Sequence, residues 1–459
     1  MSTIRGHNHM KILVVSTPMT GHLNPLLAIG SILIAGGHKL AFLTGSPLRS
    51  RVQRFKANFY PLPNEADINA NDIVMSDEVM AAPLGPQWRR VVIERLFVDT
   101  IPGQYSGMHK VLREFPADVI IGDDMFFGVL PMLLGPRSKR PPIVLCGTSI
   151  LHWQRNDRAP TFAGLPPAAT QAQLDEYAAV ARENEKIVDE PLGLCVNRYL
   201  KELGVGPVTR PLFESVIELA DAYMQLTVPR FEFPRDIPSS VTFVGTPPII
   251  PNQVPLPSWA HELDGSRKVV LVTQGTLANH DLDLLIAPAL AGLANEPDLL
   301  VVATAGGRAV GDIPGPIPGN ARLASFLPFE WLLPKVDVLV TNGGYGSVNQ
   351  AMSFGIPLVT AGLTEDKGDV NARVAWSGVG INLATNNPTP QALREAVRSV
   401  LDKPDYRSGA SAMADEFKTI DTRSEILRII NQVAQGSNEI GGPGGTMLAK
   451  QGRRFAANR

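Results

Sequence analysis

Unbroken apolar runs recur along this chain and constrain its fold more than any other feature. In the first half they are residues 11–17 (KILVVST), 39–44 (KLAFLT), 118–121 (DVII) and 142–146 (PIVLC). Apolar at nearly every position rather than every second one, such runs suit strands covered on both faces. Between the first two lie a Pro/Gly turn at 18–21 and an apolar helix that opens near Asn24-Pro25 and ends at Gly36-Gly37. Residues 125–134 read as a helix between the later pair. Strand, helix, strand in this rhythm implies a parallel, Rossmann-like sheet.

The rhythm then stops and restarts. Residues 229–257 are rich in proline and poor in helix formers, as an interdomain linker is. After it, residues 268–273, 299–304 and 337–342 are strands, each followed by a glycine-bearing turn. Residues 391–401 place Leu393, Ala396, Val397, Val400 and Leu401 on one helical stripe that packs on the second sheet. Residues 84–110 and 170–202 look helical with weak periodicity, and 413–433 reads as a last helix. A chain of 459 residues exceeds one ordinary core. The expected fold class is α/β, with two Rossmann-like domains, 10–228 and 258–434, facing across a cleft. The linker is 229–257, and residues 436–459 form a Gly-, Ser- and Asn-rich tail whose composition suits disorder.

Composition removes several function classes. Lys+Arg 42 against Asp+Glu 44 leaves a net charge of -2, so no global basic field exists to hold nucleic acid or an anionic bilayer. Two cysteines, Cys146 and Cys195, make neither a disulfide framework nor a thiolate metal cage. No apolar run is long enough to span a membrane, and the opening MSTIRGHNHM lacks the apolar core of a signal peptide. The expectation is a cytoplasmic two-domain enzyme.

The most informative stretch is 337–383. A buried strand ends at Thr341-Asn342, a glycine turn follows at 343–346, and a helix opens at Ser347. Glycines let a ligand approach the backbone, and a helix start offers unpaired N–H groups with partial positive charge, so the turn suits a diphosphate. A plain strand-to-helix turn has the same local look. The wider segment resembles the donor-binding signature of the UDP-glycosyltransferase superfamily, inverting enzymes of the two-domain GT-B fold. The resemblance rests on Gly343 to Ser347, Ala351-Met352 with Gly355-Ile356-Pro357, Asp366, and Arg373-Val374 before Gly378-Val379-Gly380. It extends to residues 17–27 and 274–276, and covers the chain from residue 11 to residue 434, thinly between 50 and 115.

That resemblance implies a hexosyltransferase using a UDP- or TDP-sugar co-substrate, no metal, and a small apolar acceptor such as a polyphenol, macrolide or sterol. It places Gly344, Gly346, Ser347, Thr276 and Gly21 at the donor, with Glu365, Asp366 and Lys367 at the sugar. Three positions depart from the pattern. Asn342 stands where a histidine touches phosphate, Gln350 where a glutamate holds the ribose, and Lys367 where a glutamine faces the sugar. Phe326, followed by Leu327-Pro328, falls where an aromatic stacks on the base; a core phenylalanine is the plainer reading.

Thr20-Gly21-His22 lies at the carboxyl end of the first strand, where open α/β sheets place ligands. The resemblance makes His22 the general base and Asp123 its partner, fixing the tautomer. Asp124 reads as a solvated or capping carboxylate. Met75, Met80, Trp88, Phe97, Tyr105 and Met108 are core residues or line an acceptor pocket; Met75, Trp88, Met125 and Phe126 are the acceptor candidates carried forward. Asp281-Leu282-Asp283 mimics a metal-binding acidic triplet, yet reads as first-turn carboxylates at a helix start. A nicotinamide dehydrogenase would need a Gly-x-Gly-x-x-Gly turn, and the first turn holds only Gly21. A non-catalytic nucleotide-sugar or lipid-binding module would need no oriented base.

Overall fold

The computed structural model describes residues 9–251, 254–275 and 279–440. The first sheet contains β1 (Lys11–Val15), β2 (Lys39–Thr44), β3 (Asn58–Pro61), β4 (Val119–Asp123), β5 (Ile143–Gly147), β6 (Ala222–Gln225) and β7 (Val241–Phe243), in the order β3-β2-β1-β4-β5-β6-β7. The second contains β8 (Lys268–Thr273), β9 (Leu299–Thr304), β10 (Ala321–Ala324), β11 (Val338–Thr341), β12 (Leu358–Thr360) and β13 (Gly380–Asn382), in the order β10-β9-β8-β11-β12-β13. Every pairing in both is parallel.

The apolar runs are the central strands because both faces are covered. On β1, Leu13 and Val15 pack with Ile101, Met108 and Val216 on one face. Ile12 and Val14 pack with Leu23, Leu27 and Ile429 on the other. None of the four is more than 1% exposed. The stripe Leu393, Ala396, Val397 and Val400 lies in the core on one face of the second sheet, as its spacing requires.

Several boundaries differ from the sequence expectation. The first helix spans Thr20–Ala35, so it opens five residues before Pro25 and carries His22 in its first turn. Pro25 removes one backbone donor early in the helix, where that loss is tolerated. The helix after β11 opens at Tyr345, with Gly344 as its cap, rather than at Ser347. Residues 125–134 make only a turn at Phe127–Val129 and the short helix Leu130–Leu134. Helices Pro86–Ile93 and Ile101–Glu114 are joined by a π-helical turn, as are Gln171–Asn184 and Glu190–Glu202. Strand β7 lies within the proline-rich 229–257 segment and adds an edge to the first sheet, so that segment is not purely a linker.

The end of the chain differs most. Two helices, Pro404–Thr419 and Thr422–Ile440, replace the single one expected over 413–433. Ile426, Ile429 and Ile430, on one stripe of the last helix, pack with Met10, Ile12 and Leu26 of the first domain. The chain therefore crosses back. Residues 436–440, expected in the tail, continue this helix, and the rest of that tail lies outside the described residues. Among the described residues no helix is long and apolar enough to cross a membrane.

A buried ion network joins the domains. Glu232 accepts from the Leu151 N–H at 2.9 Å, from Arg373 Nη2 at 2.9 Å and Nε at 3.1 Å, and from Arg235 Nη2 at 3.2 Å. The side chains of Arg373 and Glu232 are 1% and 3% exposed. Arg373 belongs to the second-domain helix Lys367–Trp376 and also lies over the Phe233 ring, 4.1 Å from its centroid. Removing one partner leaves uncompensated buried charge, which typically costs about 3–5 kcal/mol. Glu232→Ala should lower stability to urea by that order, and an unchanged unfolding midpoint would show that this network does not hold the domains.

Candidate active site

The carboxyl ends of the two sheets face each other, and the residues just beyond the strands make the contacts. Ser149, after β5, donates to Asp366 at 2.6 Å. Gln225, the last residue of β6, donates to the Tyr345 hydroxyl at 2.6 Å, and Thr227 donates to Asn349 at 2.5 Å. A first-domain strap is held by the second domain: Asp369 accepts from the N–H groups of Phe162 at 2.5 Å and Gly164 at 2.7 Å. Phe162 has φ 65°, a left-handed conformation that is strained for an aromatic residue.

On the first-domain side, His22 Nδ1 lies 3.2 Å from Asp123 Oδ1. Asp123 ends β4, is fully buried, and accepts from the N–H groups of Thr17 at 2.7 Å and Met125 at 3.0 Å. These bonds fix its carboxylate beneath the imidazole. His22 itself keeps 18% of its side chain exposed, and its Nε2 has no partner among the described residues. Burial disfavours the imidazolium, but Asp123, Asp124 and Asp366 together outweigh it and raise the pKa above the ordinary 6.5. This ring can take up a proton at Nε2 and have the resulting charge stabilised through Nδ1.

Asp124 is neither solvated nor a helix cap. It is 3% exposed and accepts from the Thr148 N–H at 3.1 Å, the Thr148 hydroxyl at 3.0 Å and the Tyr223 hydroxyl at 3.0 Å. Burial, then the Asp123 charge, pushes its carboxyl up to about 6 against the pull of Thr148 and His22.

On the second-domain side, Gly344, Gly346 and Ser347 share the start of the Tyr345–Ser353 helix, which has no side-chain cap and no acid in its first turn. Space is open where a Cβ of Gly344 or Gly346 would stand. Gly343 has φ 99°, and a Cβ there would collide with the Asn371 amide, so the tight turn requires glycine. An anion placed against this helix start would meet unpaired N–H groups. Asn342 is buried and donates to the Gln274 carbonyl at 2.8 Å, tying the ends of β8 and β11. Thr276 lies outside the described residues.

The other second-domain candidates occupy distinct places. Phe326 is 44% exposed rather than in the core, and its ring lies against Gly307, while Leu327 is buried. Gln350 lines a cavity of about 410 Å³ with Thr246, Pro248, Phe354 and Phe417. Glu365 has φ 49° and pairs with the Lys367 ammonium. Burial pushes that ammonium down to about 8.

The acceptor candidates are not brought together. Phe126 is wholly buried in the first-domain core and presents no surface, Met125 is 6% exposed, Trp88 is half-buried, and Met75 is 68% exposed. Gly21 is exposed with open space above it. Instead an aromatic series runs from the base. Phe97 lies 6.2 Å from the His22 ring, and Phe127, Phe213, His152 and Phe162 follow at centroid spacings of 6.2, 5.6, 4.8 and 4.7 Å. Burial and the neighbouring Arg373 and Arg235 hold the His152 pKa down at about 3, so this ring stays neutral. Thr148 and Ser149, missed in the sequence, were detectable as hydroxyls just past the apolar run of β5. Phe162 and Phe213 carried no such signal.

Among the described residues, one group of acids and thiol is close enough to share an ion: Glu94, Asp99 and Cys195. Its carboxylates are tied to Arg90 and Arg95. Asp281 and Asp283 do not open a helix, which begins only at Ile286; the Asp281 carboxylate caps the Asp283 N–H at 2.9 Å.

Comparison with known proteins gives a consistent picture. Residues 290–433 match the family described as the erythromycin biosynthesis protein CIII-like C-terminal domain. The chain is 36% identical to 4'-demethylrebeccamycin synthase of Lentzea aerocolonigenes, over 92% of this chain and 98% of that protein. It is 34% identical to UDP-glycosyltransferase 2 of Phaeomoniella chlamydospora, over 94% and 97%. The structure resembles that of CalG4, the calicheamicin glycosyltransferase, with TM-score 0.70 at 18% identity, covering 94% of this chain and 99% of that one.

The His22–Asp123 contact sets a measurable titration. By NMR, the His22 imidazole should titrate above 6.5. In Asp123→Asn the midpoint should fall, because the charge that favours the imidazolium is gone. An unchanged midpoint would mean that Asp123 does not govern this ring.

Proposed function

We propose that this chain, which belongs to the UDP-glycosyltransferase superfamily of GT-B enzymes, moves a hexose from a UDP-sugar to a hydroxyl of an apolar small molecule with inversion. It is a glycosyltransferase of the natural-product type that uses nucleotide-sugar donors. The observation that carries the finer reading is the His22–Asp123 pair at the carboxyl edge of one sheet, opposite an uncapped helix start on the other.

In the proposed step, Nε2 of His22 takes the acceptor hydroxyl proton while that oxygen bonds to the anomeric carbon. The bond from that carbon to the diphosphate oxygen breaks on the opposite face. Asp123 accepts from Nδ1 and stabilises the imidazolium. The leaving diphosphate is held against Gly344, Gly346 and Ser347, with Thr276 as a further donor. The helix dipole and its N–H groups carry the developing charge without a metal ion. Asp366 accepts from Ser149, and a sugar hydroxyl would take that place when donor binds. Phe326, exposed at the edge of this domain, offers a face to the base. The partly exposed Phe97 ring, 6.2 Å from the His22 ring, supports an apolar acceptor such as a polyphenol, macrolide or sterol.

Turnover of His22→Ala and wild type on an aliphatic alcohol tests the reading. General-base catalysis is typically worth ~10²–10⁴ in rate, so His22→Ala should lose that much with donor affinity little changed. Full activity in the variant would remove the base. Chelator should leave wild-type turnover intact; loss restored by Mg²⁺ or Mn²⁺ would overturn the metal-free reading.

A further inference from the structure

We propose that Asp124, acting through the Thr148 hydroxyl, is a second positioning carboxylate for His22, and that its ionised form keeps the ring proton on Nδ1 so that Nε2 stays free. The proposal rests on the reading of His22 as the base.

The geometry starts at Nδ1, which lies 3.2 Å from Asp123 Oδ1 and 3.2 Å from Thr148 Oγ1. One hydrogen faces two acceptors, at distances longer than the ~2.7–2.9 Å of a committed charge-assisted bond. Asp123 is fixed by the Thr17 and Met125 N–H groups, but Thr148 Oγ1 lies just as close to Nδ1, so Asp123 is not the only group the ring meets there. The direction in which the Thr148 hydroxyl points therefore matters.

That hydroxyl has one hydrogen and lies 3.0 Å from Asp124 Oδ1. An ionised carboxylate only accepts, so it draws the hydrogen to itself and leaves the Thr148 lone pair facing Nδ1. Tyr223 donates to the other oxygen of Asp124 and fixes its plane. Protonation of Asp124 lifts the constraint. The Thr148 hydroxyl can then donate to Nδ1, which puts the ring proton on Nε2 and blocks the base.

The surrounding groups set where this happens. Asp124 faces Asp123 of β4, Cys146 of β5, Tyr223 of β6 and His22 of the first helix, while Asp366 of the second domain faces His22. Cys146 and Tyr223 stay neutral, because burial and the nearby carboxylates push both well above their ordinary values. With the Asp124 carboxyl pushed up to about 6, its protonation overlaps that of His22 on the acid side.

Rate–pH profiles and ¹⁵N NMR of the His22 ring test the proposal in the full chain. Thr148→Val keeps the shape and removes the hydroxyl; kcat should fall about tenfold, the size of one ordinary hydrogen bond, with donor KM unchanged. A measurable share of His22 should appear with its proton on Nε2, and Thr148→Ser should restore both readouts. Asp124→Asn is permanently neutral, so kcat should fall and the Nε2-protonated share of His22 should rise, while the acid limb moves to lower pH and loses one proton from its slope. Wild-type kcat and tautomer in Thr148→Val, or an unmoved acid limb in Asp124→Asn, would overturn the proposal. An inactive His22→Ala with an unaltered Asp124→Asn removes this relay alone; an active His22→Ala removes the base reading itself.

Discussion

The structure depends on one buried carboxylate. Glu232 leaves the first sheet and enters a pocket where Arg373 of the second domain and Arg235 meet it. A charge out of water needs its counterions at hydrogen-bonding distance, which restricts where the second domain can sit. Hydrophobic surface alone tolerates sliding; a carboxylate shared by two guanidinium groups does not. The same helix that carries Arg373 carries Asp369, which holds the Phe162 strap, and is capped by Asp366, which meets Ser149. Fixing Arg373 therefore fixes the height at which the two sheet edges face.

Each sheet edge contributes a different chemistry for a topological reason. Parallel strands end on one side, so the groups beyond β1, β4 and β5 gather in one place, and those beyond β8, β11 and β12 in another. The first edge gathers acids and an imidazole, all tied by hydrogen bonds to backbone or to each other. The second gathers a glycine turn and an uncapped helix start. The proposed proton removal draws on the first arrangement and the proposed anion binding on the second. Returning the last helix to the first domain, through Ile426, Ile429 and Ile430, ties the chain's end to the half where it began.

The central strands were legible because burial on both faces leaves a continuous apolar run, as in Ile12 to Val15. Edge strands were not: β3 (NFYP) and β7 (VTF) are short, and β3 is exposed enough to keep polar residues. Residues 413–433 read as a helix, but nothing in them showed that Ile426, Ile429 and Ile430 would cover the first sheet. His22 and Asp123 were singled out by the resemblance rather than by residue type and place alone, and folding sets the imidazole 3.2 Å from that carboxylate. The burial of Asp124 was not legible, because it depends on Tyr223, 99 positions later, and on Thr148. Of the aromatic series, Phe97 was read as core or acceptor pocket, but Phe213 and Phe162 had no signal, since they come from separate segments joined only by folding.

The central claim is direct displacement at the anomeric carbon by an oxygen that His22 deprotonates, with the diphosphate leaving from the opposite face toward the second domain. The product's anomeric configuration tests it most directly. With an α-configured UDP-hexose and a phenolic or alcoholic acceptor, the proton NMR coupling at the new anomeric centre should report a β-glycoside from the first turnovers. An α-glycoside, with configuration retained, would contradict the account.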